Sequence, residues 1–202
     1  MGIKKFVIVD HGIGNYGSLK SVFNKLGHEA VISSEKKDLV NSDFLVLSGV
    51  GAFPSSIKYL KKNKTIKNLK KIINNGKPIL GICLGMHLLS QSSEEISNNN
   101  GLGLIPGKIK INQNNSNHIG WNKLNILKKN SNFSNFQGRY FYFQHGYSYN
   151  GSRKYLVADT NINSFKIASI IQNNNIVGVQ FHPEKSQETG LEFLKQYIEI
   201  FK

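Results

Sequence analysis

The sequence predicts an α/β fold in which an open, mostly parallel central sheet is flanked by helices and has an antiparallel extension in its second half. Two observations favour this class. In the first half of the chain, short apolar runs alternate with longer amphipathic stretches, as in a parallel sheet covered by helices. After about residue 100 the candidate strands become shorter, which fits antiparallel pairing. The length of 202 residues suits a single domain, predicted to span residues 1–202.

The first half is predicted to hold four strands and the helices that connect them. The strands are residues 6–9, 29–32, 44–47 and the run that leads into Cys83. Residues 44–47 are continuously apolar, as expected of a strand buried on both faces of a sheet. The first helix has Ser18 as its N-cap and ends at Gly27. Further helices are predicted at residues 55–62 and 66–75.

The second half is predicted to be built mainly from strands. They are residues 104–111, 124–127, 140–144, 155–158, 165–172 and 176–181. The sequence Asn173-Asn174-Asn175 favours a hairpin turn between the last two strands, because asparagine tolerates the left-handed conformations that tight turns require. Residues 188–201 are predicted to form the closing helix.

Composition and charge limit the compartment and the partners. The formal net charge is +14, but only Arg139 and Arg153 are arginines, and recognition of bases and phosphates relies on the arginine fork. We therefore expect scattered, solvated lysines and no nucleic-acid partner; an anionic small molecule or an acidic partner surface is the alternative. One cysteine excludes an internal disulfide, and no apolar run reaches the ~20 residues that span a bilayer. The prediction is a soluble protein of the reducing cytoplasm without membrane contact.

The most informative motif surrounds the single cysteine, Cys83. It lies between Gly81 and Gly85, after an apolar run and before a helix-like stretch. A side chain displayed on a sharp strand-to-helix turn requires small neighbours two positions away, because larger ones would collide with the packed strand and helix. The start of a helix also favours the thiolate, which is the attacking species. The pattern predicts a nucleophilic cysteine.

A cysteine nucleophile needs a neighbouring base, and His182 is the best candidate among the six histidines. It ends a predicted strand and is followed by Pro183 and Glu184. We expect Pro183 to keep the chain extended, so that the side chains of His182 and Glu184 point the same way and the carboxylate orients the imidazole. Cys83, His182 and Glu184 are therefore the predicted catalytic residues.

Three segments together resemble the class I glutamine amidotransferases. They are Gly-Ile-Cys-Leu-Gly at 81–85, Gln-Phe-His-Pro-Glu-Lys-Ser at 180–186 and Gly-Val-Gly-Ala-Phe at 49–53. Within that family the chain is similar to the glutaminase subunits of imidazole glycerol phosphate synthases. This similarity also rests on His-Ile-Gly-Trp-Asn at 118–122 and on the opening loop Asp10-x-Gly12-x-Gly14-Asn15. The resemblance covers the chain from end to end.

The resemblance implies a reaction and a set of backbone donors. Cys83 would attack the side-chain amide of glutamine, His182 would pass a proton to the departing ammonia, and water would then resolve the thioester to glutamate. Negative charge develops on the carbonyl oxygen at both steps. The backbone N–H of Leu84 and one from the Val50-Gly51 segment would stabilise that charge.

The same resemblance implies that glutamine is bound by Gly51, His87, Gly146 and Tyr147. At several positions the chain departs from the usual residues of the family: His87 replaces a glutamine, Ser48 a proline, His11 a tyrosine and Gly146 a serine. The His87 ring has a shorter reach than a glutamine side chain and can titrate. These departures therefore bear first on the affinity for the substrate.

The resemblance also implies a partner. Ammonia would pass through a sealed interface to a cyclase subunit, which forms imidazole glycerol phosphate and the purine-pathway carboxamide in histidine biosynthesis; the two subunits would form a heterodimer. The alternative is a glutaminase that supplies another acceptor, such as a surface-sugar amidotransferase. His118 and His145 either shape the site or partner face or are structural, and Trp121 either packs or anchors an interface. Metal-ligand spacings and phosphate-binding motifs do not occur, so we expect no cofactor and no metal.

Overall fold

Strands and helices alternate in the first half of the computed structural model, which describes residues 2–14, 16–113, 117–162 and 165–201. The strands are β1 (Lys5–Val9), β2 (Glu29–Ser33), β3 (Phe44–Gly49), β4 (Ile79–Cys83), β5 (Ser90–Ser93), β6 (Asn99–Asn100), β7 (Ile105–Ile111), β8 (His118–Lys123), β9 (Asn125–Ile126), β10 (Tyr140–His145), β11 (Tyr147–Asn150), β12 (Leu156–Ile162), β13 (Phe165–Asn173) and β14 (Ile176–Val179). The helices are α1 (Tyr16–Lys25), α2 (Lys36–Asn41), α3 (Phe53–Lys62), α4 (Thr65–Asn74), α5 (Leu84–Leu89) and α6 (Gln187–Ile200).

The central sheet has the strand order β2-β1-β3-β4-β14-β13-β12-β9. The pairs from β2 to β14 are parallel, whereas β14, β13, β12 and β9 pair in antiparallel fashion. The predicted class is therefore confirmed. Smaller sheets are formed by β10-β8 and by β11-β7-β5-β6. β4 lies inside the central sheet, and the carboxyl ends of such strands are where open α/β sheets place their sites.

Both faces of the central sheet are covered at β1 and β3, which explains why residues 6–9 and 44–47 are apolar throughout. Successive side chains of a strand point to opposite faces. Phe6 and Ile8 of β1 accordingly belong to one buried cluster, which includes Phe23 of α1 and Tyr197 of α6. Val7 and Val9 belong to a second cluster on the other face, with side chains from α2 to α5. In the described part of the chain, no helix combines the length and apolar character needed to cross a membrane.

Some boundaries differ from those that the sequence predicts. α1 begins at Tyr16, so the prediction of Ser18 as its N-cap is wrong and Ser18 is an exposed residue inside the helix. The ring of Tyr16 packs against the first core cluster, and its hydroxyl accepts a hydrogen bond from the backbone N–H of His11, which starts the helix earlier. Asn15 of the opening loop lies outside the described residues. The hairpin between β13 and β14 is confirmed, with Asn173 opposite Ile176.

Candidate active site

Cys83 occupies the sharp turn between β4 and α5 that the sequence predicts. Its backbone has φ 52° and ψ −109°, a conformation that residues with a Cβ rarely adopt, and its side chain is buried. A Cβ on Gly81 would lie 2.8 Å from the carbonyl group of Gly85. A Cβ on Gly85 would overlap with the carbonyl oxygen of Leu47 on β3. Glycine is therefore required on both sides of the cysteine because strand and helix are in contact there.

Gly85→Ala is expected to lower the free energy of unfolding by about 4 kcal/mol, because the added methyl group meets backbone that cannot move independently of β3. Urea denaturation measures this change. Gly27→Ala is the matched control, since Gly27 has φ +82° but open space around its Cβ position, and it should lose only about 1 kcal/mol. Equal losses in the two variants would contradict the steric explanation.

The sulfur of Cys83 contacts one backbone group and one side-chain amide. Its thiol donates a hydrogen bond to the carbonyl oxygen of Gln144 at 3.6 Å, and the amide Nε2 of buried Gln180 donates to Sγ at 3.9 Å. The Gln180 amide is a donor aimed at the position where negative charge resides in a thiolate.

His182 and Glu184 form a buried pair. His182 Nδ1 lies 2.8 Å from Oε1 of Glu184, and the side chains are 1% and 8% exposed. Burial alone lowers the pKa of His182, but hydrogen bonding and charge from Cys83 and Glu184 together raise that pKa to about 10. The ring is therefore an imidazolium at neutral pH. Its Nε2, the nitrogen that Glu184 does not hold, is buried.

The backbone after His182 differs from the expectation. Pro183–Lys185 form a 3-10 turn, closed by hydrogen bonds from the N–H groups of Lys185 and Ser186 to the carbonyls of His182 and Pro183. The prediction that Pro183 keeps this segment extended is thus wrong. The fixed φ of proline suits the first position of a helical turn equally well, and the turn brings Glu184 back toward the His182 ring.

A cavity of about 310 Å³ opens beside Cys83. Its lining includes the following predicted residues: Val50, Gly51, Leu84, His87, Gly146 and Tyr147. Gly49 pairs with Cys83 in the ladder between β3 and β4, which explains why the loop that follows β3 lies next to the cysteine. Of the predicted residues, His182 and Glu184 do not line the cavity and are buried beside it.

His87 lies on α5 and is buried at the wall of the cavity. Its Nε2 lies 2.9 Å from Oε1 of Gln180 and donates a hydrogen bond to that oxygen. Burial lowers the pKa of His87 to about 4, although the hydrogen bond to Gln180 acts in the opposite direction. The expectation that this ring titrates is therefore wrong for neutral pH, where His87 is uncharged. Gln180 consequently contacts both Cys83 and His87.

A directional chain of hydrogen bonds runs along the buried face of the β8–β10 sheet. The carbonyl of Tyr147 accepts from Nδ1 of His145 at 2.9 Å, so Nε2 of His145 is an acceptor. It accepts from Nδ1 of His118 at 3.1 Å, and Asn122 donates to the remaining His118 nitrogen at 3.0 Å. Burial and the neighbouring histidines lower the pKa of His145 to about 3. Burial also lowers the pKa of His118. The His145 ring is neutral at pH 7, and its Nδ1–H holds the carbonyl of Tyr147 at the cavity.

The opposite face of the same two strands is exposed and aromatic. Directly opposed residues of an antiparallel pair lie on one face, and the pairs here are Ile119 with Gln144, Trp121 with Tyr142, and Lys123 with Tyr140. Together with Lys185, whose Nζ lies over the Tyr142 ring, these residues form what we call the Trp121 face. Ile119, Trp121 and Tyr140 are 64%, 44% and 50% exposed. Gln144 connects this face to Cys83.

Sequence reasoning missed several residues of the site. Glu95 lines the cavity, and its Oε2 accepts the N–H of Phe53 at 3.3 Å. Burial raises the pKa of the Glu95 carboxyl, opposed by that hydrogen bond. Gln180 lies two residues before His182 in the segment 180–186, and this close spacing is a usable signal. The predicted strand 176–181 ends at Val179, so Gln180 follows β14. Glu95 follows a polar run without a motif, so the sequence holds no signal for it.

The described residues hold no group of three or more potential metal ligands.

Comparisons with known proteins identify the family of the chain. The family described as glutamine amidotransferase class-I matches residues 7–200. The imidazole glycerol phosphate synthase subunit HisH of Listeria monocytogenes serotype 4b is 42% identical over 200 residues, 97% of this chain and 96% of that protein. Subunit HisH 2 of Vibrio vulnificus is 42% identical over 205 residues, 98% and 95% of the two chains. The structure of PurLQS from Thermotoga maritima has a similar fold, with a TM-score of 0.77 at 19% identity over 100% of both chains. The chain therefore belongs to the class I glutamine amidotransferases and, within them, to the HisH subunits of imidazole glycerol phosphate synthase.

Proposed function

We propose that the chain hydrolyses glutamine to glutamate and ammonia with Cys83 as nucleophile, His182 as general acid and base, and Glu184 as the residue that orients the imidazole. The observation that carries this proposal is the buried 2.8 Å pair of His182 and Glu184 beside Cys83. A nucleophile, a base and an orienting carboxylate are the parts of a catalytic triad. Since Nδ1 of His182 is held by Glu184, Nε2 is the nitrogen that exchanges protons with sulfur and with the leaving group.

The reaction proceeds in two stages. The Cys83 sulfur adds to the side-chain carbonyl carbon of glutamine, and the C–N bond breaks as Nε2 of His182 gives its proton to the departing ammonia. Water then adds to the thioester, losing a proton to His182, and the C–S bond breaks to release glutamate. The backbone N–H of Leu84, at the start of α5, and one from Val50 or Gly51 stabilise the oxyanion at each stage.

The remaining groups of the cavity suit the amino-acid end of glutamine. The carboxylate of Glu95 is a partner for the substrate ammonium, since both are otherwise poorly solvated in a cavity of this size. The backbone of Gly146 and Tyr147, held by the His145 hydrogen bond, and the neutral ring of His87 complete the wall. His87 thus replaces the family's usual glutamine with another neutral hydrogen-bonding group.

We also propose that the Trp121 face docks a cyclase subunit that consumes the ammonia. Exposed aromatic and aliphatic residues bordered by lysines are typical of protein interfaces. The face ends at Gln144, whose carbonyl oxygen contacts the sulfur of Cys83. A partner seated there would therefore receive ammonia directly behind the reacting cysteine. The names of the HisH relatives favour imidazole glycerol phosphate synthase as the complex.

The proposed function is tested by assaying the purified chain with the cyclase subunit of imidazole glycerol phosphate synthase. We expect glutamate to form from glutamine, and imidazole glycerol phosphate to form with glutamine as the only nitrogen source. No glutamate formation with or without the cyclase would contradict the glutaminase assignment. Glutamate formation that is coupled only to a surface-sugar amidotransferase would contradict the cyclase as acceptor.

Trp121→Ala is expected to weaken binding of the cyclase subunit by about 2 kcal/mol, or about 30-fold in Kd, because a half-exposed tryptophan at the centre of an aromatic face is a typical interface anchor. Titration calorimetry measures the change. Ile32→Ala is the control: Ile32 is similarly exposed but lies on β2, the edge strand of the central sheet. An unchanged Kd for Trp121→Ala would exclude this face as the docking surface.

A further inference from the structure

His11 is a buried histidine that the proposed mechanism does not use. It follows β1, is fully buried, and has both ring nitrogens paired. Nε2 lies 2.8 Å from the carbonyl oxygen of Ser48, and Nδ1 lies 3.0 Å from Oγ of Ser56 on α3. A fully paired buried imidazole is held in one orientation, so it can hold its partners in turn.

The direction of these hydrogen bonds follows from chemistry. A carbonyl oxygen only accepts, so Nε2 of His11 carries the proton and donates to Ser48. Burial lowers the pKa of His11, and the neutral ring then has Nδ1 as an acceptor for the hydroxyl of Ser56. The hydrogen bond from Ser56 thus favours the tautomer with its proton on Nε2, which donates to the Ser48 carbonyl. Both positions where the chain departs from the family near β3, His11 and Ser48, take part in one contact.

The Ser48 carbonyl that accepts this hydrogen bond belongs to the peptide that leads into the loop Gly49-Val50-Gly51. Gly49 pairs with Cys83, and a Cβ on Gly49 would lie 2.7 Å from Cε1 of His11 and 2.7 Å from the carbonyl oxygen of Ile13. A Cβ on Gly51 would overlap with the side chain of Ile13. The segment from His11 to Ile13 therefore supports this loop on the side away from the cavity.

We propose that His11 is a positioning residue for oxyanion stabilisation: its hydrogen bond to the Ser48 carbonyl, set by Ser56, fixes the orientation of the Gly49–Gly51 backbone beside Cys83. Hydrogen-bond donors stabilise an oxyanion only if they are already aimed at it. Loss of the His11 contact therefore lowers the rate of the chemical step much more than it weakens substrate binding, and it leaves the reactivity of the Cys83 sulfur toward an alkylating agent unchanged. This role rests on the proposed glutaminase function.

His11→Phe replaces the imidazole with a somewhat larger aromatic ring and removes both hydrogen bonds. In the full chain assayed with the cyclase, we expect kcat for glutamine hydrolysis to fall about 10- to 100-fold, less than the loss of a whole oxyanion donor, with KM unchanged within about twofold. His11→Gln, which retains an N–H donor, should recover most of the rate. The kcat of Ser56→Ala should lie between those of the wild type and His11→Phe. Ser42→Ala, at a buried serine whose hydroxyl donates to the Leu39 carbonyl, should leave kcat unchanged.

Alkylation of Cys83 by iodoacetamide separates positioning from a general structural role. Sulfur attacks a saturated carbon in that reaction and no oxyanion forms, so the alkylation rate of His11→Phe should equal that of the wild type. A parallel fall in alkylation and kcat, a rise in KM alone, or an unchanged kcat in both His11→Phe and Ser56→Ala would overturn the role of His11. If His11→Phe does not fold, His11→Gln and Ser56→Ala decide. Absence of glutamine turnover in the wild type would instead contradict the proposed function.

Discussion

Cys83→Ala is expected to lower glutamine-dependent product formation by about 10,000-fold or more, because no other described group in the cavity can form the thioester. The measurement is formation of imidazole glycerol phosphate by the complex with glutamine as nitrogen source. Alanine has the same Cβ as cysteine at the unusual backbone angles of this position, so the turn is kept and only the sulfur is lost.

Ammonium chloride supplied to the same complex provides the control. Cys83→Ala should then support product formation at the wild-type rate within about twofold, since the cyclase receives ammonia directly. Cys83→Ser, with an oxygen nucleophile of much higher pKa than a thiol, should resemble the alanine variant. Loss of the ammonia-dependent activity as well would mean that Cys83 is needed for the structure of the complex and is not the nucleophile.

Glu184→Gln is expected to reduce kcat by about 1,000-fold, because a neutral amide neither stabilises the imidazolium nor selects its tautomer. Removal of the carboxylate should also lower the pKa of His182 from about 10, since Glu184 is one of the two groups that raise it. The imidazole titration, followed by NMR, measures this shift. Glu188→Gln is the matched control at an exposed glutamate in the first turn of α6 and should leave both quantities unchanged.

Glu184→Gln should also change how the free energy of unfolding depends on pH. The pKa of His182 in the folded protein lies above its ordinary value of 6.5, so its interactions stabilise the fold fully below pH 6.5 and cease to do so as the pH rises to about 10. The free energy of unfolding of wild type minus that of Glu184→Gln should therefore be largest below pH 6.5 and shrink toward pH 10. Urea denaturation at pH 6, 8 and 10 measures it. A difference that grows with pH would contradict the charged state assigned to His182.

The parts of the fold that the sequence predicts are those where local pattern and tertiary environment agree. β1 and β3 contain the apolar runs 6–9 and 44–47, and β4 is apolar around Gly81; all three runs are buried, so their sequences identify them. β5, with the sequence Ser-Gln-Ser-Ser, has no such pattern and becomes a strand because β6 and β7 pair with it. Strand formation there depends on neighbours that are distant in sequence.

The candidate site divides in the same way. Cys83 is predictable because the flanking glycines indicate a close approach of backbone. His182 and Glu184 are predictable because they are only two residues apart in sequence. Glu95 and the His11 contact are not, because each depends on segments that meet only in the folded chain. The charge of His87 could not be inferred either, since burial and Gln180 set its pKa.

The backbone at Cys83 makes stability and catalysis competing demands at one position. Non-glycine residues in sparsely populated regions of φ and ψ typically cost about 1–3 kcal/mol, and the structure places Cys83 at φ 52° and ψ −109°. Glycine would relieve that strain, so Cys83→Gly should unfold at a higher temperature than the wild type while being inactive. A chain selected for thermal stability alone would lose this sulfur. Under the proposed role of Cys83, only selection for activity keeps a cysteine at this position.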